Sequence, residues 1–499
     1  MDNNYNLLMG KNNNANTIHG INIPSEFIMF LMIAFIGISL SLLFEADIIL
    51  PLHISLGLLA VIVIWGIFGI RFSKLSLLSR IMIIFYSLPF IHGLEYIFIS
   101  DISNQNILWG LPVNDYQVDF EIVNKMFMAG CIGAYGLVAG YGFVKTIKDK
   151  GDVDYIRSNS LKLTGFIVVS MISLAFSWIS APQETILKAA YTESLSMLDN
   201  ESINFGAGWM VSHTLAMLLL VDTLNETNVK RKRIKTGITL AVALIIIVWF
   251  QLLRGDREFM GMAAGYFSFY LIYNSSNIKR MFEKSKKYLK TKKNKLNKYF
   301  VLVIIVLVIV SSQLLGSLRS QLSNLESPTE IVKLSKFEGL HGTWSAVLLT
   351  PLSVVGDFHN NLMKPRWGET YVDYTMSMIP GVVAQNLGIE RPLESTKGPA
   401  WEMRYGLGGT HAMVVPFMNF KTPGVFFILL LFGIFIAACE KNIKYLFRVK
   451  NSLFYGSMFV LAPFWFWYGD MYLIRGIMSF YIVLFLYIVL PKYKLQNQC

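Results

Sequence analysis

Apolar residues in this 499-residue chain gather into runs of roughly 18 or more with almost no charge among them, the length an α-helix needs to cross ~30 Å of hydrocarbon. Twelve such runs can be read, at 26–44, 48–70, 76–99, 124–144, 162–181, 206–225, 236–253, 258–275, 299–317, 422–439, 452–469 and 472–491. Backbone polar groups find no water in lipid, so runs of this kind fold as helices that satisfy them internally. The pattern predicts an all-α polytopic membrane protein of about twelve transmembrane helices, with one large loop between spans nine and ten. Its divisions are a tail at 1–25, spans one to nine over 26–317, the loop over 318–421, spans ten to twelve over 422–491 and a second tail at 492–499. The first tail is polar and Asn-rich, without a basic n-region or cleavage site, and reads as a short disordered segment, not a signal peptide.

Charge changes the picture by its placement. Only 15% of residues are charged, against about 25% in a soluble domain, which excludes a soluble enzyme. The net charge is +12. Of 44 basic residues, 30 lie in tails and alternate loops assigned to one side of the membrane, and nine of the rest lie in 318–421, a loop too long to weigh in the positive-inside rule. Both termini are therefore expected in the cytoplasm. The ten basic residues of 274–298 lie directly between two spans with no aromatic interleaving, so they read as an orientation signal and a contact for anionic membrane lipids, and no nucleic-acid partner is expected. Cys131, Cys439 and Cys499 offer no external pair. No Walker, dinucleotide or zinc spacing occurs, so neither cofactor nor metal is expected.

The loop 318–421 holds most of the polar inventory, including Glu338, His341, Asp357, His359, Arg366, Glu369, Asp373, Glu390, Arg391, Glu394, Glu402, Arg404 and His411. A connection that long inside a compact protein usually carries function. Ser327-Pro328-Thr329-Glu330 has an N-cap Ser, Pro at the first helical position and Glu three residues after the cap. The helix it starts runs on through Ile331, Val332 and Leu334 toward Trp344, Val347 and Leu348, an amphipathic run suited to lying along the membrane surface. Between spans seven and eight, Arg254-Gly255-Asp256-Arg257-Glu258 places four charges where there is no room for a loop. Charge at membrane depth is by default functional, and two guanidinium forks beside a Gly make a pyrophosphate clamp; the bland alternative is a self-neutralising turn. Glu402 to His411 contains three glycines within four positions, flanked by Arg404 and His411, where backbone N–H groups could converge on an anion or simply turn the chain. Asp470 and Arg475 open the last span, as an interfacial ion pair or part of the same site. Phe464 to Tyr468 reads as an interfacial aromatic belt, with stacking on a sugar or isoprenoid as the alternative. Lone histidines inside spans, such as His53, His92 and His213, read as satisfied structural donors.

These residues resemble the Wzy-type O-antigen and capsule repeat-unit polymerases, within the wider GT-C type of lipid-linked glycosyltransferases. The likeness covers the layout of essentially the whole chain and a few short motifs: Gly255-Asp256-Arg257 opening the eighth span, Arg254 with Gly265 after ten intervening residues, Tyr371…Met378-Ile379-Pro380-Gly381, Arg391-Pro392, and Gly408-Gly409…Asn419-Phe420. Lys421 stands where the family usually has Gly after Asn-Phe, and the Val415-Pro416 region replaces a Glu usual before it. The resemblance implies a GT-C-like fold with a periplasmic loop and no metal or soluble nucleotide-sugar. The reaction it implies moves a growing glycan from undecaprenyl pyrophosphate onto a new undecaprenyl-pyrophosphate-linked repeat unit at the periplasmic face of the inner membrane. It also implies a chain-length-regulating co-polymerase of the Wzz type as partner. Arg257, then Arg254, Arg404 and Arg475, would hold the pyrophosphate, and His411 or His341, with Asp357 and Glu338 behind them, would take the acceptor proton. The alternatives are an O-antigen ligase or other polyprenyl-linked glycosyltransferase, and then a lipid-linked oligosaccharide flippase.

Overall fold

The computed structural model of the chain describes residues 15–18, 21–68, 77–94, 119–145, 160–180, 208–246, 265–266, 269–270, 338–377, 379, 386–388, 410–441 and 449–492. Among these the protein is helical apart from one short hairpin. Within the tail expected to lack structure, β1 (Ala15–Ile18) pairs antiparallel with β2 (Ile21–Pro24). The helices are α1 (Ser25–Glu45), α2 (Leu52–Phe68), α3 (Leu77–Ser87), α4 (Phe120–Lys145), α5 (Leu163–Ser180), α6 (Gly208–Asn225) and α7 (Val229–Leu244). They continue as α8 (Glu338–His359), α9 (Glu369–Ser377), α10 (Val414–Lys441), α11 (Val449–Tyr468) and α12 (Asp470–Val489). Three stretches, Phe27–Glu45, Phe120–Phe143 and Val414–Ala438, are long and apolar enough to cross a membrane, and shorter apolar helices accompany them.

The centre of the bundle is α4. Of its spanning stretch 94% is buried, against 33% for α1, whose Met32, Phe35 and Leu42 point outward as a lipid-facing side would. Burial on every side needs neighbours that come close, and α4 supplies small residues for that. A β-carbon added at Gly136 would overlap the Phe426 carbonyl, one at Gly140 the Leu430 carbonyl, and one at Gly433 the Leu137 carbonyl. The backbones of α4 and α10 therefore touch directly. On its other flanks α4 receives ring edges: Phe90 lies over Gly130, and the Tyr86 hydroxyl donates to the Gly130 carbonyl at 2.9 Å.

Polar side chains collect at the two ends of this bundle. At one end Lys235 is wholly buried, with its Nζ 2.6 Å from Asp222 Oδ2 and 3.1 Å from Glu226 Oε2, and donating to the Leu161 carbonyl at 2.9 Å. Asp222 Oδ1 accepts from the Leu161 N–H at 2.8 Å, and Leu161 bridges to Lys492 just past α12. Four helix ends are tied there. Removing one partner of such a buried pair costs about 3–5 kcal/mol, because the other charge is left without compensation. At the opposite end Lys125 joins Asp47 at 2.9 Å and Glu121 at 3.0 Å, and Lys421 lies 3.8 Å from Glu45.

Local chemistry explains where these elements begin and break. Pro89 ends α3, and the chain continues as a 3₁₀ turn, Leu88–His92, inside the stretch read as the third span. Asn228 caps α7, its side chain accepting from the Arg231 N–H, so the helix starts at Val229 and not at 236. The basic stretch read as a loop is thus the first turns of a helix, and Lys235 faces inward.

The run read as lying along the membrane surface has its start, 327–337, outside the described residues, and it is corrected at its end: Val347 and Leu348 are buried, as are Thr350, Leu352, Ser353, Val354, Val355 and Asp357 beyond them, so α8 is packed into the bundle against α4. The tenth span, read from 422, is preceded by a helical stretch that starts at Val414, inside the segment read as loop; 412–418 is apolar and buried, and the helix breaks at Phe420 and Lys421 before it resumes at 422. Within the aromatic run, Trp465 stacks on Phe432 with ring centroids 3.7 Å apart and Phe466 packs on Tyr86, so these two are core residues; the side chains of Phe464, Trp467 and Tyr468 lie outside the described residues. His213 meets its expected role, with Nδ1 3.0 Å from the Tyr266 hydroxyl.

The close approach of α4 and α10 can be separated from generic glycine effects. Gly140→Ala must push backbone from backbone and should lower stability in detergent by about 1–3 kcal/mol or prevent folding. Gly237→Ala meets open space within α7 and should raise stability by about 0.5–1 kcal/mol. Chemical denaturation of the two purified variants checks the contrast; equal effects would remove the backbone contact from its place at the centre.

Candidate functional site

The end of the bundle that carries Lys125 is where the late segment docks. Asp47 (φ 59) turns the chain after α1, Asp119 caps α4 by accepting from the Glu121 N–H at 2.9 Å, and His359 ends α8. Lys125 Nζ is 2.8 Å from His359 Nδ1, so one ammonium links α1's turn, α4 and α8. Its hydrogen bond and charge hold the exposed Asp47 carboxyl below the usual carboxylate range. Sequence reading singled out His359 but neither Asp47 nor Lys125; the signal was a lone Lys at the start of an apolar run with Glu four residues before it.

Beside it, α10 breaks. Phe420 (φ −138, ψ 17) and Lys421 (φ 53, ψ −148) leave helical geometry, and the freed carbonyls are taken up by a second strained turn. The Arg366 N–H donates to the Met418 carbonyl at 3.0 Å, the Trp367 N–H to the Asn419 carbonyl at 3.1 Å, and the Gly368 N–H to Asn419 Oδ1 at 2.8 Å. Trp367 (φ 50) and Gly368 (φ 96) are left-handed, and the Trp367 ring sits exposed beside Phe420. Thr422 Oγ1 closes the break by donating to Glu45 Oε1 at 2.7 Å. A non-Gly residue held this way costs about 1–3 kcal/mol and persists only where its surroundings over-determine it. Within α10, Lys421 is the position that needs a positive φ.

The candidate residues are distributed as follows. His411 is fully buried: Nε2–H donates to the Tyr86 carbonyl at 2.9 Å, and Nδ1 accepts from the Met413 N–H at 3.3 Å. Its ring lies 4.8 Å from Tyr86 and 5.1 Å from Phe90, so both nitrogens are committed to backbone, and the residue anchors the start of α10. Asp357 is buried at the end of α8, and its carbonyl accepts from the Leu362 and Met363 N–H groups. Glu338 and His341 are in the first turns of the same helix, about 28 and 24 Å of helix rise from Asp357, so α8 does not bring the three together. Arg475 is buried in α12, two helical turns in from Gly469, which contacts Thr410. Ala412 N–H donates to the Phe466 carbonyl at 2.9 Å, so the stretch bearing His411 and the hairpin bearing Arg475 do meet. Arg254, Arg257 and Arg404 lie outside the described residues.

Burial pushes His411 down to about 4, partly opposed by its bond to the Tyr86 carbonyl. The folded value lies below the unfolded one near 6.5, so the unfolded chain binds the proton first as pH falls. Stability is therefore full above about pH 6.5 and is lost toward pH 4, by on the order of 3 kcal/mol. Unfolding midpoints taken in detergent across this window should fall for the parent protein and fall distinctly less for His411→Gln; equal slopes would show that His411 is not a buried neutral base. Set against protein-family models, characterised proteins and solved structures, the chain matches none of them.

Proposed function

We propose that the chain polymerises lipid-linked oligosaccharide repeat units at the periplasmic face of a bacterial inner membrane. The reading is supported above all by the interlocking of 357–369 with 410–422 at one bundle end, through the three bonds from Arg366, Trp367 and Gly368. Both stretches come from the segment between the ninth and tenth apolar runs, and a cover over a lipid-linked glycan needs this fixed seat. The end that carries Lys235 and Lys492 is the cytoplasmic one in this reading, since the short basic loops gather on that side.

The acceptor hydroxyl attacks the anomeric carbon of the donor, the bond from that carbon to the phosphate oxygen breaks, and undecaprenyl pyrophosphate leaves with the electron pair. Negative charge grows on the leaving group, so guanidinium groups that hold it more strongly in the transition state lower the barrier. Arg257 has that role, with Arg254, Arg404 and Arg475 around the same diphosphate. The hydroxyl proton passes to a carboxylate, and Asp357 is preferred because its helix ends at the docking junction; Glu338 and His341 are at the far end of α8. His411 acts as a positioning residue that fixes the start of α10.

Supplied to a strain lacking both polymerase and ligase, the protein should yield glycan of many repeats still attached to undecaprenyl pyrophosphate, seen as a ladder on gels. Arg257→Ala should insert normally and abolish the ladder. Glycan that stays at one repeat unit with the parent protein would overturn the proposal.

A further inference from the structure

Helix α7 changes character along one exposed face. Leu240 is 58% exposed and Leu244 59%, the surface of a helix against hydrocarbon. One to two turns earlier the same side passes through Thr236 and Gly237 to exposed Arg233, and then to Lys232, Lys230 and Val229. At 1.5 Å per residue the change from leucine to cations takes about 10–15 Å, the depth from acyl chains to phosphates. Gly237, where an added β-carbon would meet open space, lies at the boundary.

Among the described residues, the acids at this end of the bundle are already engaged. Glu226 Oε1 accepts from the Thr227 and Asn228 N–H groups and lies 3.4 Å from Arg231, and its Oε2 meets Ser160 and Lys235. Asp222 meets Lys235 and the Leu161 N–H. No carboxylate among the described residues pairs with Lys230, Lys232 or Arg233.

From this we infer that the first turns of α7 are a binding site for anionic phospholipid headgroups. The occupant follows from continuity with the lipid-facing leucines below and from three cations with no carboxylate partner among the described residues. Ile234 (42% exposed), between the leucines and the cations, supplies apolar contact at the glycerol level. Lys235, on the opposite face of the same turns, holds α7 to α5, α6 and the end of α12, so a lipid bound outside steadies the joint inside.

The test uses the full chain in nanodiscs of phosphatidylcholine with and without phosphatidylglycerol, read by thermal unfolding. Phosphatidylglycerol should raise the parent's midpoint by several degrees, and ~0.5 M NaCl should erase most of the gain. K230Q/K232Q/R233Q should match the parent in phosphatidylcholine but show less than half the gain, whereas K230R/K232R should keep all of it. Inorganic phosphate added to phosphatidylcholine discs should shift nothing. A glutamine variant that retains the full gain overturns the site and moves the lipid effect elsewhere, to the basic 274–298 stretch for example. A phosphate shift equal to the lipid's overturns the lipid as occupant. The outcome is independent of glycan polymerisation.

Discussion

Where α4 crosses α10, no side chain separates the two backbones. Gly136 and Gly140 face the Phe426 and Leu430 carbonyls, and Gly433 faces the Leu137 carbonyl. Within a membrane there is no hydrophobic drive between helices, so dispersion over such close contacts, with their weak Cα–H donors, has to hold them. Helix α4 can then be buried along nearly its whole length, with α1, α2, α3 and α8 packed on its remaining sides. The same crossing fixes Lys125 near the start of α4 beside the break in α10, and with it the junction onto which the late segment docks.

The two ends of the bundle use polar chemistry differently. At the Lys235 end the ion pair is dry and closed, and it joins helices by satisfying every buried charge. At the Lys125 end its partners Asp47 and Glu121 are exposed, the backbone is strained at Lys421 and Trp367, and one histidine nitrogen completes the set. Strain and solvent access together mark the second end as the one where a ligand could be received, and the first as a joint.

Much of the helical framework was legible because hydropathy at this length scale has few solutions: α1, α2, α5, α6 and α12 fall within a few residues of the apolar runs. Boundaries were lost where local chemistry overrode hydropathy. Asn228 capped a helix through basic residues, and buried Val414, Val415 and Phe417 form a helical stretch ahead of the break at Phe420 and Lys421, in a segment judged by its polar average. The burial of 347–357 and of Trp465 was hidden for the same reason, since an apolar or aromatic run reads alike whether lipid, water interface or protein covers it. His411 carried a chemical label in sequence, but its two backbone bonds depend on Tyr86, 325 residues away. The Asp47, Lys125 and His359 cluster was illegible for the converse reason, because its members are ordinary charges until the fold joins them.

The account places the docking junction and the Lys235 joint on opposite sides of a membrane, with the junction outward. Single-cysteine variants Asp47→Cys and Lys230→Cys in a cysteine-free background, treated in intact cells with a membrane-impermeant maleimide, test this most directly. Labelling at 47 from outside, with 230 reacting only after the cells are opened, is the predicted result. Labelling of both positions from the same side, or of 230 alone from outside, would contradict the account.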